Sequence, residues 1–143
     1  MRILILVCCL LVAVAEAEQK PIVIILSMDG VPHDIADNPL LSAFKRMEKY
    51  GTKADHLIPV YQSTTYPAHV SLATGVYPDR HGILHNSFID TQQGRFNYDA
   101  DANWIEVPPI WVLAEQQGIK SAVFFWVGSE TDWHDVGASY RKA

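Results

Sequence analysis

Residues Ile22-Val23-Ile24-Ile25-Leu26 form an unbroken apolar, largely β-branched run directly after Pro21. A strand with one wet face alternates polar and apolar residues, whereas a run without alternation fits a strand buried on both faces of a parallel sheet. The run gives way to Ser27-Met28-Asp29-Gly30, a turn signal. Parallel strands need long crossover connections, so the residues that follow should supply helices.

The rest of the chain has that grammar. A helix should begin at Asn38 or its neighbours, with Pro39 in its first turn, Leu40, Leu41, Phe44 and Met47 at helical spacing, and Gly51 as its C-terminal cap. Residues 54–61 read as extended, 68–74 as helical up to Gly75, 77–82 as a loop, and 88–98 as a hairpin or surface excursion around Gln93-Gly94. Residues 110–117 read as a helix capped by Gly118, and 121–126 as another buried strand. The fold class is α/β, a parallel or mostly parallel sheet flanked by helices. No closing element is expected beyond Val127-Gly128, and three strands would leave a sheet edge that proteins normally cover. The expectation is therefore the N-terminal portion of a larger domain.

The first residues set the compartment. Arg2 is the only charge ahead of apolar residues 3–14, which end in Ala15-Glu16-Ala17. A basic start, a dozen apolar residues and an Ala-x-Ala site make a secretory signal peptide over 1–17, leaving 18–143 as the mature chain. A spanning helix needs about 20 apolar residues, so no stable membrane anchor is expected. Cys8 and Cys9 both fall in the removed segment, so the mature chain has no disulfide and is expected to be periplasmic or secreted. The net charge of −5 and the lack of a basic patch argue against long nucleic acids as partners.

Two residues invite chemistry. Asp29 follows the first strand, where open parallel sheets place ligand crevices, and its carboxylate can bind a divalent metal. It can equally be a turn-forming aspartate before glycine. Thr65 precedes Tyr66-Pro67 at the start of a helix, where it can cap the backbone or face an anion. A threonine alcohol acts as a nucleophile only beside a cation; bound zinc lowers the pKa of water from 15.7 to about 7.

The stretch Pro59-Val60-Tyr61-Gln62-Ser63-Thr64-Thr65-Tyr66-Pro67-Ala68-His69, with Ser71-Leu72-Ala73-Thr74-Gly75-Val76-Tyr77-Pro78-Asp79-Arg80-His81-Gly82-Ile83-Leu84-His85-Asn86, resembles the nucleotide pyrophosphatase/phosphodiesterase family of the alkaline phosphatase superfamily. Met28-Asp29-Gly30 resembles the family's opening motif, and residues 109–118 and 122–129 its next helix and strand. The resemblance implies zinc-dependent hydrolysis of phosphodiester or pyrophosphate bonds in nucleotide-type small molecules, through a phospho-threonine intermediate. By that resemblance Asp29 is a metal ligand, Thr65 both nucleophile and metal ligand, Asn86 a donor to a phosphoryl oxygen, and Tyr66 the aromatic on which a base stacks. Two zinc ions about 4 Å apart would clamp the attacking and leaving oxygens.

The sequence departs from the family at Ala68, where asparagine is common, and at Thr64, where lysine is frequent; both alter the pocket rim and bear on nucleotide preference. The carboxylate and histidine ligands that complete both zinc sites have no counterparts, so this chain alone should be inactive while its full-length parent is active. His69 and His81 read as structural, Asp79 and Arg80 as a local ion pair, Asp101 and Glu106 as solvated loop. Trp104, Trp111 and Trp126 read as packing residues. His33, the Asp55-His56 pair and the trio Asp132, His134 and Asp135 mimic ligand spacings without matching the family's positions. Two other readings stay open: a phosphomonoesterase of the same superfamily, and a non-catalytic exported binding module. A sulfatase-like site is disfavoured by Thr65, since sulfatases use cysteine or serine.

Overall fold

The computed structural model describes residues 21–142, so the expected signal peptide lies outside them. Ten short elements follow one another: a 3₁₀ turn at His33–Asp37, α1 (Ser42–Tyr50), α2 (Thr65–Thr74), α3 (Pro78–His81), β1 (Ser87–Asp90), β2 (Gly94–Asn97), a 3₁₀ turn at Ala102–Trp104, α4 (Ile110–Gln116), β3 (Ala122–Phe124) and β4 (Tyr140–Lys142).

The packing centres on α2. Pro67, Val70, Ser71 and Ala73 are buried, so this helix is enclosed on more than one side. Val70 packs with Ile83, Phe96 and Ile105 in one cluster, joined by Tyr66, Phe88, Trp104, Val127 and Trp133. On its other flank Ala73 meets Trp111 and Val112 of α4, and Trp126 and Val136 close that second cluster. Gly75 ends α2 in the left-handed region at φ 72°, the usual glycine cap. At Gly128 (φ 78°) a Cβ would stand 2.5 Å from Ile105 Cδ1, so glycine is needed for the loop to approach the first cluster.

The sheet structure is smaller than the sequence suggests. β1 and β2 form the expected antiparallel hairpin, with Asp90 facing Gly94 across its turn. Asp90 Oδ1 accepts the N–H groups of Gln92 and Gln93, which fixes the turn and lowers the Asp90 pKa. β3 and β4 pair in parallel, Val123 beside Arg141, so a parallel pair does occur. This also supplies an element after Val127-Gly128 where none was expected.

The run at 22–26 does not form a strand. It carries no regular secondary structure, and its five residues are 55–88% exposed. Apolar β-branched composition favours extended backbone but cannot by itself supply a pairing strand, and no described segment forms a ladder with it. The same holds for residues 54–61, where Leu57 and Ile58 are exposed and no strand forms. β3 is likewise less buried than its composition implies, with Phe124 exposed, as is Phe125 just after it.

Local boundaries shift for local reasons. Asn38 Oδ1 accepts the Leu40 N–H, making a turn ahead of α1 in place of its first helical turn. Residues 77–82 contain a single helical turn, α3, because Pro78 sits at its start and Gly82 terminates it at φ 82°. Asp79 and Arg80 form no ion pair with each other; both side chains are exposed. Asp101 is an N-cap and not free loop, accepting the Asn103 N–H at 3.0 Å.

Two buried or half-buried titratable groups tie elements together. Glu115 of α4 accepts the N–H and hydroxyl of Ser121 and of Ser139, joining α4 to the approaches of β3 and β4. Those donors pull its pKa down to about 2, the Ser121 N–H contributing most. His81 is fully buried; its Nδ1 accepts the Ile83 N–H, so its proton sits on Nε2 and is donated to Ser71 Oγ at 2.8 Å. Burial drives its pKa down from 6.5 to about 4.

A lowered histidine pKa means the unfolded chain binds the proton first as the pH falls. Urea unfolding should therefore show stability falling from pH 6.5 to about 4, as the His81 pKa of about 4 requires, by on the order of 3 kcal/mol. His81→Gln, which keeps a donor and an acceptor, should flatten that slope. The Glu115 contribution, intact above 4.5, should be lost progressively as the pH falls from 4.5 to about 2.

Candidate active site

The site lies at the N-terminus of α2. Thr64 is the N-cap residue, extended at φ −83° and ψ 163°, yet its side chain makes no capping bond and its Oγ1 is buried without a partner. Thr65 is the first helical residue, and its hydroxyl does not cap the helix either. Its Oγ1 donates to Asp29 Oδ2 at 3.0 Å, across 36 residues of sequence. The turn that follows the unpaired apolar run thus presents its carboxylate to the start of α2.

The cap comes from Asn86. Its Oδ1 accepts the Tyr66 N–H at 2.9 Å, satisfying one of the helix's unpartnered first-turn donors. That bond fixes the carboxamide's orientation: only oxygen can accept an N–H, so Nδ2 must point the other way. Nδ2 donates one hydrogen to the Tyr98 hydroxyl at 3.1 Å and carries a second. Tyr98 in turn donates its own backbone N–H to the Asn86 carbonyl at 2.9 Å. The Tyr66 ring meets Phe96 and Tyr98 edge-on, at 5.4 and 5.5 Å between centroids. Burial raises the pKa of the Tyr66 phenol, and the charges of Glu130 and Asp99 add to that, so it stays a neutral donor.

His69, one turn along α2, joins three parts of the chain. A carbonyl can only accept, so its Nδ1 carries the proton and donates to the Thr65 carbonyl at 2.8 Å. Nε2 is then an acceptor for the Ser27 hydroxyl at 2.9 Å. Trp126 Nε1 donates to the His69 carbonyl at 3.1 Å, and the two rings meet at 75°.

The structure thus brings Asp29, Thr65, Tyr66 and Asn86 into one neighbourhood. Ser27 and Tyr98 were not singled out from sequence, and His69 only as structural. Tyr98 meets Asn86 across 12 residues and Ser27 meets His69 across 42, separations that no local pattern reports. His33 and the Asp55-His56 pair join no ligand cluster, since no three His, Cys, Asp or Glu side chains converge among the described residues. Asp132 instead accepts from Arg141 Nη1 at 2.6 Å. Asp29 Oδ2 and Thr65 Oγ1 are two oxygens close enough to serve one small divalent cation. A catalytic zinc takes about three protein ligands, so this pair fits part of one donor set.

Comparison with solved structures places the fold in the class of the ectonucleotide pyrophosphatase/phosphodiesterases. The chain is similar to murine ectonucleotide pyrophosphatase/phosphodiesterase 5, in an inactive threonine-to-alanine form in complex with AMP. The TM-score is 0.76 at 26% identity, covering 82% of this chain and 33% of that one. The human protein of the same name gives 0.75 at 27%, with the same coverage of both chains. The chain belongs to the type I phosphodiesterase/nucleotide pyrophosphatase family, whose model matches residues 23–142. Human ectonucleotide pyrophosphatase/phosphodiesterase family member 1 is 33% identical over 125 residues, which cover 82% of this chain and 14% of that protein. Venom phosphodiesterase 2 of Crotalus adamanteus is 35% identical over 124 residues, 81% of this chain and 15% of that protein. The chain thus spans about a seventh of these curated relatives.

The cap and the donor on Asn86 can be separated. Asn86→Ala should destabilise the chain by about 1 kcal/mol, as for other lost N-caps. Asn86→Asp keeps an acceptor for the Tyr66 N–H and adds favourable charge at the helix start, so it should retain the parent stability in thermal unfolding.

Proposed function

We propose that this chain is the N-terminal part of the catalytic domain of an exported, zinc-dependent hydrolase of phosphodiester or pyrophosphate bonds in nucleotide-type substrates, with Thr65 as its nucleophile. The observation that carries the reading is the 3.0 Å contact between Thr65 Oγ1 and Asp29 Oδ2, at the start of a helix in a chain of this family. The murine relative that is inactive with a threonine changed to alanine, and that holds AMP, supports a threonine-based reaction on a nucleotide.

Each residue has a physical task. Thr65 Oγ1 points its proton at Asp29 Oδ2, which leaves the lone pairs of the oxygen free to approach phosphorus. Attack forms a threonine–phosphorus ester and breaks the bond to the leaving oxygen; water then cleaves that ester and frees Thr65. When bound, two zinc ions would stabilise the alkoxide and the leaving oxygen, with Asp29 and Thr65 among their ligands. Asn86 Nδ2, held by its cap, offers its second hydrogen to the phosphoryl oxygen on which charge grows. Tyr66 stands beside the nucleophile as the aromatic surface for a base. The remaining ligands belong to the rest of the full-length protein, so the 143-residue chain is inactive alone. Residues 1–17 direct export to the periplasm or the medium.

The test is turnover of a nitrophenyl phosphodiester by the complete polypeptide. Thr65→Ala should lower kcat on the order of a thousandfold or more, the scale of losing a covalent nucleophile. Asn86→Asp should cost roughly 10²–10³ in kcat while leaving the fold stable. Turnover undiminished in the Thr65 variant, or zinc-supported hydrolysis by the short chain itself, contradicts the reading. Faster cleavage of a nitrophenyl monoester than of the diester would favour the phosphomonoesterase instead.

A further inference from the structure

We propose that Ser27 and His69 are positioning residues that hold Asp29 against Thr65, forming a latch between the first extended segment and α2. This rests on the reading of Thr65 as the nucleophile. Neither residue touches the reacting atoms.

Ser27 and Asp29 are two apart where the first segment enters its turn, and each places one side chain on α2. Thr65 and His69 are four apart on a helix, so they share a face and are separated by a rise of about 6 Å. The two pairs meet as a two-rung ladder. Ser27 Oγ bonds His69 Nε2 at 2.9 Å, and Asp29 Oδ2 accepts from Thr65 Oγ1 at 3.0 Å.

The rungs have different fates during the reaction. Once Thr65 Oγ1 loses its proton in the reaction it has nothing left to donate to Asp29, which removes the upper rung. The lower rung is untouched by chemistry. Among the described residues, no other hydrogen bond joins residues 21–30 to α2, and no sheet ladder holds them. Ser27–His69 therefore keeps the carboxylate in place while the nucleophile moves. His69 suits the task because its other nitrogen is committed: Nδ1 donates to the Thr65 carbonyl at 2.8 Å, so Nε2 is held as the acceptor that the serine hydroxyl needs. Trp126, donating to the His69 carbonyl at 3.1 Å and packed against its ring, fixes the imidazole from the far side.

The experiment measures kcat, KM and thermal unfolding of the complete polypeptide, with rates expressed per folded molecule. Ser27→Ala, which removes one oxygen from an otherwise unchanged chain, should lower kcat ten- to a hundredfold with KM nearly unaltered. Ser27→Thr, which restores the hydroxyl, should recover most of that loss. His69→Ala should act in the same direction, and the double variant should be no worse than the weaker single one, because the pair acts as one unit. A Ser27→Ala protein with parental kcat overturns the latch, as does a loss confined to melting temperature. Thr65→Ala run in parallel separates the two levels. If it is dead while Ser27→Ala is fully active, only the latch falls; if it turns over normally, the nucleophile assignment falls and takes the latch with it.

Discussion

An α-helix begins with backbone N–H groups that have no partner within the helix, and the start of α2 is where Asp29, Asn86 and the hairpin meet. The Thr64 side chain leaves the cap unmade, and the Asn86 carboxamide supplies it by accepting the Tyr66 N–H at 2.9 Å. Much follows from that bond. It carries the β1–β2 hairpin to the front of α2, since Asn86 immediately precedes β1. It decides which end of the amide faces outward. It also sets Tyr66 against Phe96 and Tyr98, so the aromatic side of the site and the first apolar cluster share one wall.

Behind this front, α2 is held by packing of a different kind on each flank. Val70 belongs to the cluster made with the hairpin and Ile105, Ala73 to the one made with α4. Ser71 cannot join either as an apolar residue, and its hydroxyl instead meets the neutral imidazole of His81. A buried polar pair of this sort is tolerated because both members are satisfied. The site thus stands on a helix fixed from three directions, whereas Asp29 arrives on a segment with few attachments of its own.

What sequence conveyed and what it withheld divide along chain separation. The hairpin was legible because Asp90, Gln93 and Gly94 settle its turn within five residues. The ends of α2 and α4 were legible because Gly75 and Gly118 take positive φ where a helix stops. Thr65 and Asp29 were legible through motif resemblance. The environment of the run at 22–26 was not, because whether an extended segment becomes a buried strand depends on what lies beside it. Tyr98 was missed since its role exists only through Asn86, twelve residues upstream, and Ser27 since its partner is 42 residues away.

The unpaired run at 22–26 has a consequence for handling the molecule. Five successive apolar residues, mostly β-branched, show both their side chains and their backbone amides to solvent. Two copies that meet there can zip together in register, each lending the other the missing ladder, and a third can extend the stack. Left uncovered, the segment that delivers the Asp29 carboxylate to α2 is also a seed for fibrillar self-association.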